Sequence, residues 1–95
     1  ARYEIASCFF SQNRLNDAEK AAFDVINKSG SYELWVTRAY ILLGDVYYKE
    51  KDYFNAKATY KSVVDNAKLE DLRQEAEKKL KDVTEEEARG SKVEQ

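Results

Sequence analysis

Residues 40–60 read YILLGDVYYKEKDYFNAKATY, and this stretch decides the fold. Large and small side chains recur here at the spacing of one face of an α-helix. The pattern is interrupted by the charged residues around Asp52, so it predicts two helices joined by a tight turn. Asp52 is the predicted N-cap of the second helix, because its carboxylate can accept hydrogen bonds from the free amides of the first turn.

The small residues of this stretch predict how the two helices pack. Gly44 lets the neighbouring helix approach closely, and Ala56 does the same on the second helix. Tyr40, Tyr47 and Tyr60 then fill the space between the helices. The central packing prediction is therefore small residues facing large ones.

A weaker copy of the pattern lies 38 residues upstream, as the step from Ala6 to Gly44 shows. Asn16 followed by Glu19 resembles a capping box, which predicts the start of a helix that ends near Gly30. One helical hairpin is therefore repeated. The equivalent positions are Ile5 and Leu43, Ala6 and Gly44, Phe9 and Tyr47, Leu15 and Tyr53, Ala18 and Ala56, Ala22 and Tyr60, Val25 and Val63.

These spacings resemble the tetratricopeptide repeat, a helix-turn-helix unit of about 34 residues. The resemblance covers most of residues 1–68. The proline that usually stands near the end of each unit is absent, and Gly30 and Lys68 stand there instead. The family pattern has a large residue, a Leu-Gly pair, a tyrosine, an alanine, an aromatic residue and an aliphatic residue at set intervals. In this chain those positions are Tyr40, Leu43, Gly44, Tyr47, Ala56, Tyr60 and Val63.

The resemblance implies an all-α fold, a right-handed α-α superhelix of about five antiparallel helices arranged as helical hairpins. Residues 1–30 are the first predicted unit, with a first helix that is shortened at its start, and further repeats upstream in the same chain are expected. Residues 31–68 are the second unit, with an extended first helix. Trp35 in that extension is predicted to pack between the units, and the alternative is an exposed recognition residue.

The C-terminal part of the chain predicts a cap for the repeats. Leu72, Ala76, Leu80 and Val83 recur at helical spacing among charged residues, which is the pattern of an amphipathic helix with a narrow apolar stripe. Such a helix covers the last core face without exposing a new one. A capping helix is therefore predicted over residues 69–88, and a disordered tail over residues 89–95.

Composition narrows the function. Sixteen basic and eighteen acidic residues give a net charge of −2, which lacks the positive field of a nucleic-acid binder. The longest apolar runs are too short to cross a bilayer, so direct membrane insertion is not expected. With no histidine and one cysteine, a catalytic triad, a His/Cys metal site and a bound cofactor are not expected either. Cys8 is predicted to be an inert core residue.

In the tetratricopeptide family, the first helices of successive units line a concave surface that binds peptides or partner helices. A mixed aromatic and polar surface suits a peptide held by aromatic anchors and a few hydrogen bonds. Transferred position by position, the surface in this chain comprises Tyr3, Ser7, Phe10, Ser11, Arg38, Ile41, Asp45, Tyr48 and Lys49. Two alternatives stay open. These residues contact upstream repeats and not a ligand, or Asp45 is simply solvated.

The resulting hypothesis is a non-catalytic interaction module of a scaffold protein, with a protein or peptide as its partner. The alternative is a purely structural end cap or a self-association segment that forms a homo-oligomer. One subset of the family grips a C-terminal carboxylate with Lys and Asn where Tyr3, Ser7 and Leu42 stand here, so that ligand is disfavoured. A similarity to end segments of long bacterial cell-envelope repeat proteins leaves the compartment open between envelope and cytoplasm.

Overall fold

A computed structural model describes residues 2–29 and 34–93, with side chains for residues 5–27 and 34–89. The described residues form helices joined by short turns and contain no strand, which confirms the predicted all-α class. The helices are α1 (Arg2–Ser11), α2 (Leu15–Ser29), α3 (Leu34–Lys49), α4 (Tyr53–Asn66) and α5 (Glu70–Val93).

The turn between α3 and α4 is closed by backbone hydrogen bonds. The amide of Asp52 donates to the carbonyl of Tyr47 at 2.8 Å, and the amide of Lys51 donates to the carbonyl of Tyr48 at 2.9 Å. This pair of bonds is a Schellman motif, and Lys51 takes the left-handed conformation that the motif requires, with φ of 64°. Asp52 also accepts the amide of Asn55 at 3.3 Å, which confirms the predicted N-cap.

The same motif closes the turn between α1 and α2, 38 residues earlier. The amide of Arg14 donates to the carbonyl of Phe9 at 2.9 Å, and the amide of Asn13 donates to that of Phe10 at 3.0 Å. Asn13 has φ of 61° and occupies the position equivalent to Lys51. The repeat offset read from side chains therefore recurs in the backbone.

The helices pack as successive layers of one stack. Short turns make α1 and α2, and then α3 and α4, antiparallel hairpins; α3 packs on both helices of the first hairpin, and α5 packs on both helices of the second. The Cα atoms extend over 44 × 28 × 17 Å. The shortest dimension corresponds to about two helices side by side, so each helix has a solvent-facing edge.

The predicted contact of small and large residues is present in the core. Gly44 is buried, and Tyr60 opposite it is 0% exposed. The alanines at the three other predicted small positions, Ala6, Ala18 and Ala56, are also fully buried. These positions lie inside the stack and not on its surface, as the repeat pattern predicts.

Helix α2 begins two residues earlier than the predicted capping box requires, because a cap at Asn16 would make Asp17 the first helical residue. Leu15 is its first residue, so Asn16 lies inside the first turn and is exposed. The Arg14 side chain instead pairs with Asp17 at 2.8 Å across that turn. Glu19 does not close a box, because its carboxylate accepts the hydroxyl of Tyr47 in α3 at 3.1 Å.

Two residues that were predicted to be buried are exposed. Trp35 is 47% exposed, because its neighbours Val36 and Thr37 take the interior side of the first turn of α3. Its ring lies 5.7 Å from the Arg38 guanidinium carbon. Cys8 is exposed as well, because it lies about 200° around the helix from the buried Ala6.

Helix α5 is longer than the predicted cap. It continues to Val93, where the sequence predicted a disordered tail from residue 89, and residues 94–95 lie outside the described range. Ion pairs hold the end of the predicted cap: Lys57 of α4 pairs with Glu87 at 2.5 Å, and Arg89, the first residue of the predicted tail, pairs with Glu86 at 2.6 Å. Gly30, the predicted stop of α2, also lies outside the described residues.

Candidate binding groove

A groove of about 540 Å³ is lined by the end of α1, the second half of α3, the first half of α4 and the middle of α5. We call it the α1–α3–α5 groove. Its size falls within the range of small-molecule and peptide-anchor pockets. The residues that line it are Phe10, Asp45, Tyr48, Lys49, Lys51, Tyr53, Tyr60, Lys79, Asp82 and Glu86.

Four of the nine predicted partner-binding residues meet in this groove. Phe10 enters from α1, while Asp45, Tyr48 and Lys49 lie on one face of α3 at helical spacing. The structure therefore brings together residues from two predicted units, although they are far apart in sequence.

The other predicted residues lie elsewhere. Arg38 and Ile41 line a second, smaller cavity of about 100 Å³ with Leu72 and Glu75 of α5. Ile41 was predicted to face a partner but is only 4% exposed, because the apolar stripe of α5 packs over it.

The three remaining predicted residues belong to α1 and do not line either cavity. Ser7 is half-buried and Ser11 is exposed. Tyr3 falls on the helix backbone, but its side chain lies outside the described residues.

The floor of the groove is a hydrogen-bonded network that joins three helices. Lys79 of α5 reaches both carboxylate oxygens of Asp45 in α3, at 3.0 and 2.9 Å. The Tyr60 hydroxyl of α4 donates to the same carboxylate. Glu75 lies 3.4 Å from the Lys79 ammonium on the α5 side. Asp45, one of the predicted ligand contacts, therefore serves first to hold α5 against the hairpin.

Protonation equilibria reflect this network. Burial alone would lower the pKa of Lys79, but the Asp45 and Glu75 carboxylates together outweigh burial, and the pKa is raised above its usual 10.5. Burial raises the pKa of Tyr60, and the adjacent Asp45 carboxylate raises it further. Lys79 is therefore a cation and Tyr60 a neutral donor at physiological pH, so the floor has a fixed pattern of charge.

Aromatic rings form the walls at the open end of the groove. The ring centroids of Tyr48 and Tyr53 lie 5.9 Å apart with their planes at 53°, a tilted arrangement that is favourable for aromatic pairs. On the α1 side, the Lys49 ammonium lies 5.3 Å from the centroid of the Phe10 ring. A side chain that entered the groove would contact ring surface on both sides.

The two rims of the groove carry opposite charge. Lys49 and Lys51 lie at the end of α3 and in the following turn, while Asp82 and Glu86 lie on α5. Among the described residues, none of these lysines forms an ion pair with either carboxylate. Glu86 pairs with Arg89 at 2.6 Å, whereas the two lysines and Asp82 have no ion-pair partner among the described residues and are available to a ligand.

Sequence reasoning missed the contribution of α5. Lys79, Asp82 and Glu86 follow one another at intervals of three and four residues, so they share one face of the helix. That spacing was readable, but α5 was predicted only as a cap with a solvated outer face. The missing information was which side of α5 turns toward α3.

The chain shows no significant match to protein-family models, curated proteins or solved structures. Its candidate function thus rests on the residues themselves. Within residues 2–29 and 34–93, no helix is both long and apolar enough for a membrane span. Over the same residues, no three His, Cys, Asp or Glu side chains cluster in a way that could hold a metal ion.

Proposed function

We propose that this protein is a non-catalytic interaction module that holds a peptide segment of a partner protein in the α1–α3–α5 groove. The observation that carries the proposal is the groove itself, with four aromatic residues in its walls and floor and charges of both signs at its rim. Aromatic side chains supply contact area at low conformational cost, which is why they dominate binding hot spots.

The network on the floor also favours binding over chemistry. Asp45, Lys79 and Tyr60 bond to one another, so the polar groups at the bottom of the groove are already satisfied. A general acid or base needs a group that can reach a reacting atom and exchange a proton near neutral pH. A fixed ion pair instead supplies a rigid, polar floor under a bound segment.

A tetratricopeptide-type superhelix is part of the proposal. Its support is the repeated Schellman turn at Asn13 and Lys51 and the recurrence of hairpin packing, in which α5 relates to the second hairpin as α3 relates to the first. In such stacks the first helices of successive units line the inner surface, and α1, α3 and α5 all contribute to the groove, together with Tyr53 and Tyr60 of α4. The proposed partner is thus a peptide or helix of another protein.

Selection from a random dodecapeptide display library tests the proposal. The full chain is the bait, and enriched peptides are synthesised with a fluorescent label for anisotropy titration. We expect micromolar binding that Tyr48→Ala weakens about tenfold or more. Phe54→Ala is the matched control, because Phe54 is 76% exposed and lies outside the groove. Enrichment of no peptide, or equal effects of the two variants, would remove the proposal.

A second candidate function is self-association through α1. Ile5 is 54% exposed, whereas Leu43 at the equivalent position of the next hairpin is 3% exposed. The face that α3 buries against the first hairpin is therefore open on α1, and in this candidate function a second copy of the chain covers it. Light scattering after size exclusion tests this: a species of 11.0 kDa at all concentrations would count against it.

A further inference from the structure

One corner of the groove differs chemically from the rest. Tyr48 and Tyr53 form its aromatic side, and Asp82 and Glu86 on α5 form its acidic side. We call these four residues the tyrosine–carboxylate corner. Tyrosine rings present negative charge density at their faces, and carboxylates add full negative charge beside them.

The corner already attracts a cation of the same chain. Arg89, one turn after Glu86, places a guanidinium nitrogen 2.6 Å from the Glu86 carboxylate, although the Arg89 side chain is 70% exposed. Asp82 forms no hydrogen bond or ion pair among the described residues. The Glu86 carboxylate is thus paired with an exposed arginine of the same helix, and the Asp82 carboxylate is paired with no cation among the described residues.

The protonation of Tyr48 reports the local field. Burial raises its pKa, and the charges of Glu86 and Asp82 raise it further, while Arg89 acts in the opposite direction. Burial disfavours a charge of either sign, but the effect of the Glu86 and Asp82 carboxylates depends on sign and disfavours other anions as well. The ring and carboxylates together favour a positive group.

The lysines around the groove do not cancel this field at the corner. Lys79 is neutralised by Asp45 and Glu75. Lys49 lies over the Phe10 ring on the opposite wall, and Lys51 is exposed in the turn. These charges suit an acidic residue elsewhere on the same ligand, so they add specificity without occupying the corner.

We propose that the tyrosine–carboxylate corner receives an arginine or lysine side chain of the bound peptide, with its cation between the tyrosine rings and the Asp82 carboxylate. The inference rests on the proposed peptide-binding function and adds the chemistry of the ligand. Arg89 then acts as an internal competitor, since a ligand cation must share or displace it at Glu86.

The test uses the full chain and the dodecapeptides recovered by display. We expect the enriched peptides to contain Arg or Lys, and replacement of that residue by citrulline or norleucine to weaken binding about tenfold. Asp82→Asn should weaken binding about three- to tenfold. Arg89→Gln should strengthen it about twofold or more, because the competing cation is removed. Asp65→Asn, an exposed residue of α4 outside the groove, is the matched control.

The outcomes separate the two proposals. Peptides that lose binding with Tyr48→Ala but contain no basic residue would overturn the cation inference and leave the groove function standing. Basic peptides whose affinity responds equally to Asp82→Asn and Asp65→Asn would do the same. Failure to recover any peptide would remove both.

Discussion

Gly44 and Tyr60 fit so closely that a Cβ atom on residue 44 would lie 2.5 Å from Cε1 of the Tyr60 ring. The ring cannot retreat easily, because it is fully buried and its hydroxyl is bonded to Asp45. In the first hairpin the positions equivalent to Gly44 and Tyr60 are occupied by two alanines, Ala6 and Ala22, and both are fully buried. Small and large residues thus combine differently in each hairpin at one packing position.

Gly44→Ala is therefore expected to destabilise the fold by about 1–3 kcal/mol through overpacking. The effect opposes the gain of about 1 kcal/mol that alanine normally brings to a helix interior. Urea unfolding followed by circular dichroism measures the difference. The double variant Gly44→Ala with Tyr60→Phe tests whether the hydroxyl anchor matters: release of the ring should recover part of the loss. A stabilised Gly44→Ala variant would contradict the close fit.

Two residues with a left-handed backbone conformation should change the stability of the fold when they are replaced by glycine. Lys51 has φ of 64° and Asn13 has φ of 61°, a conformation that costs an ordinary side chain about 1–2 kcal/mol and asparagine less. Lys51→Gly should therefore stabilise the protein by up to about 1 kcal/mol after the entropy cost of glycine, and Asn13→Gly should change stability less. Thermal unfolding of both variants gives the comparison. A larger gain at Asn13 than at Lys51 would argue against the shared turn.

The Asp45–Lys79 pair is expected to hold α5 in place. Asp45→Asn keeps an acceptor for Tyr60 but removes the charge that faces Lys79, so a loss of about 1–2 kcal/mol is expected. Glu75→Gln is the control, because Glu75 is a more exposed partner within α5 at 3.4 Å, and such pairs contribute less than about 0.5 kcal/mol.

Hydrogen exchange distinguishes local from global effects of these variants. In Asp45→Asn, amides of α5 around Ala76 and Val83 should exchange faster relative to amides of α2. Uniform acceleration along the chain would mean that the pair stabilises the whole fold and has no special role in docking α5.

Alkaline pH should weaken the fold. Burial, followed by the hydrogen bond to Glu19, raises the pKa of Tyr47 from 10.0 to about 12. The unfolded chain releases this proton near pH 10 and the folded chain releases it near pH 12, so unfolding becomes easier across that interval. The raised pKa of Lys79 acts in the same direction: its stabilisation is complete below about pH 10.5 and is lost as pH rises through the folded pKa.

Urea midpoints between pH 9 and 12 measure this dependence. Tyr47→Phe should flatten the decline, because it removes one of the groups that titrate differently in the two states. Tyr53→Phe is the control, since the Tyr53 hydroxyl donates to no carboxylate among the described residues. An equally steep decline in Tyr47→Phe would show that other groups control the alkaline transition.

Much of the fold was readable from local patterns. Tyr40 and Gly44 of α3, like Ala56 and Tyr60 of α4, are four residues apart. The same order recurs 38 residues earlier around Ala6, so hairpins and their interior faces could be predicted. Asp52 was readable as a cap because N-cap chemistry is local. Such features depend on neighbours within a few residues, and a sequence carries that information directly.

The groove was only partly readable because it depends on how helices are placed relative to one another. Asp45, Tyr48 and Lys49 were predicted from α3 alone, but Ile41 on the same predicted surface is covered by α5. The rotation of α5 about its own axis, which directs Lys79 toward Asp45, follows from packing between distant segments. The exposure of Trp35 was also hard to predict from the sequence. A shift of one residue, from Trp35 to the buried Val36, separates the exposed side of α3 from its interior side.

Amide chemical-shift mapping during titration with the tightest display-selected peptide tests the central claim most directly. The account predicts that shifts concentrate at the end of α1, in the second half of α3 and between residues 79 and 89 of α5, and that Tyr48→Ala strongly reduces them at the same peptide concentration. Shifts confined to the outer faces of α2 and α4, with the α3 amides unchanged, would contradict it.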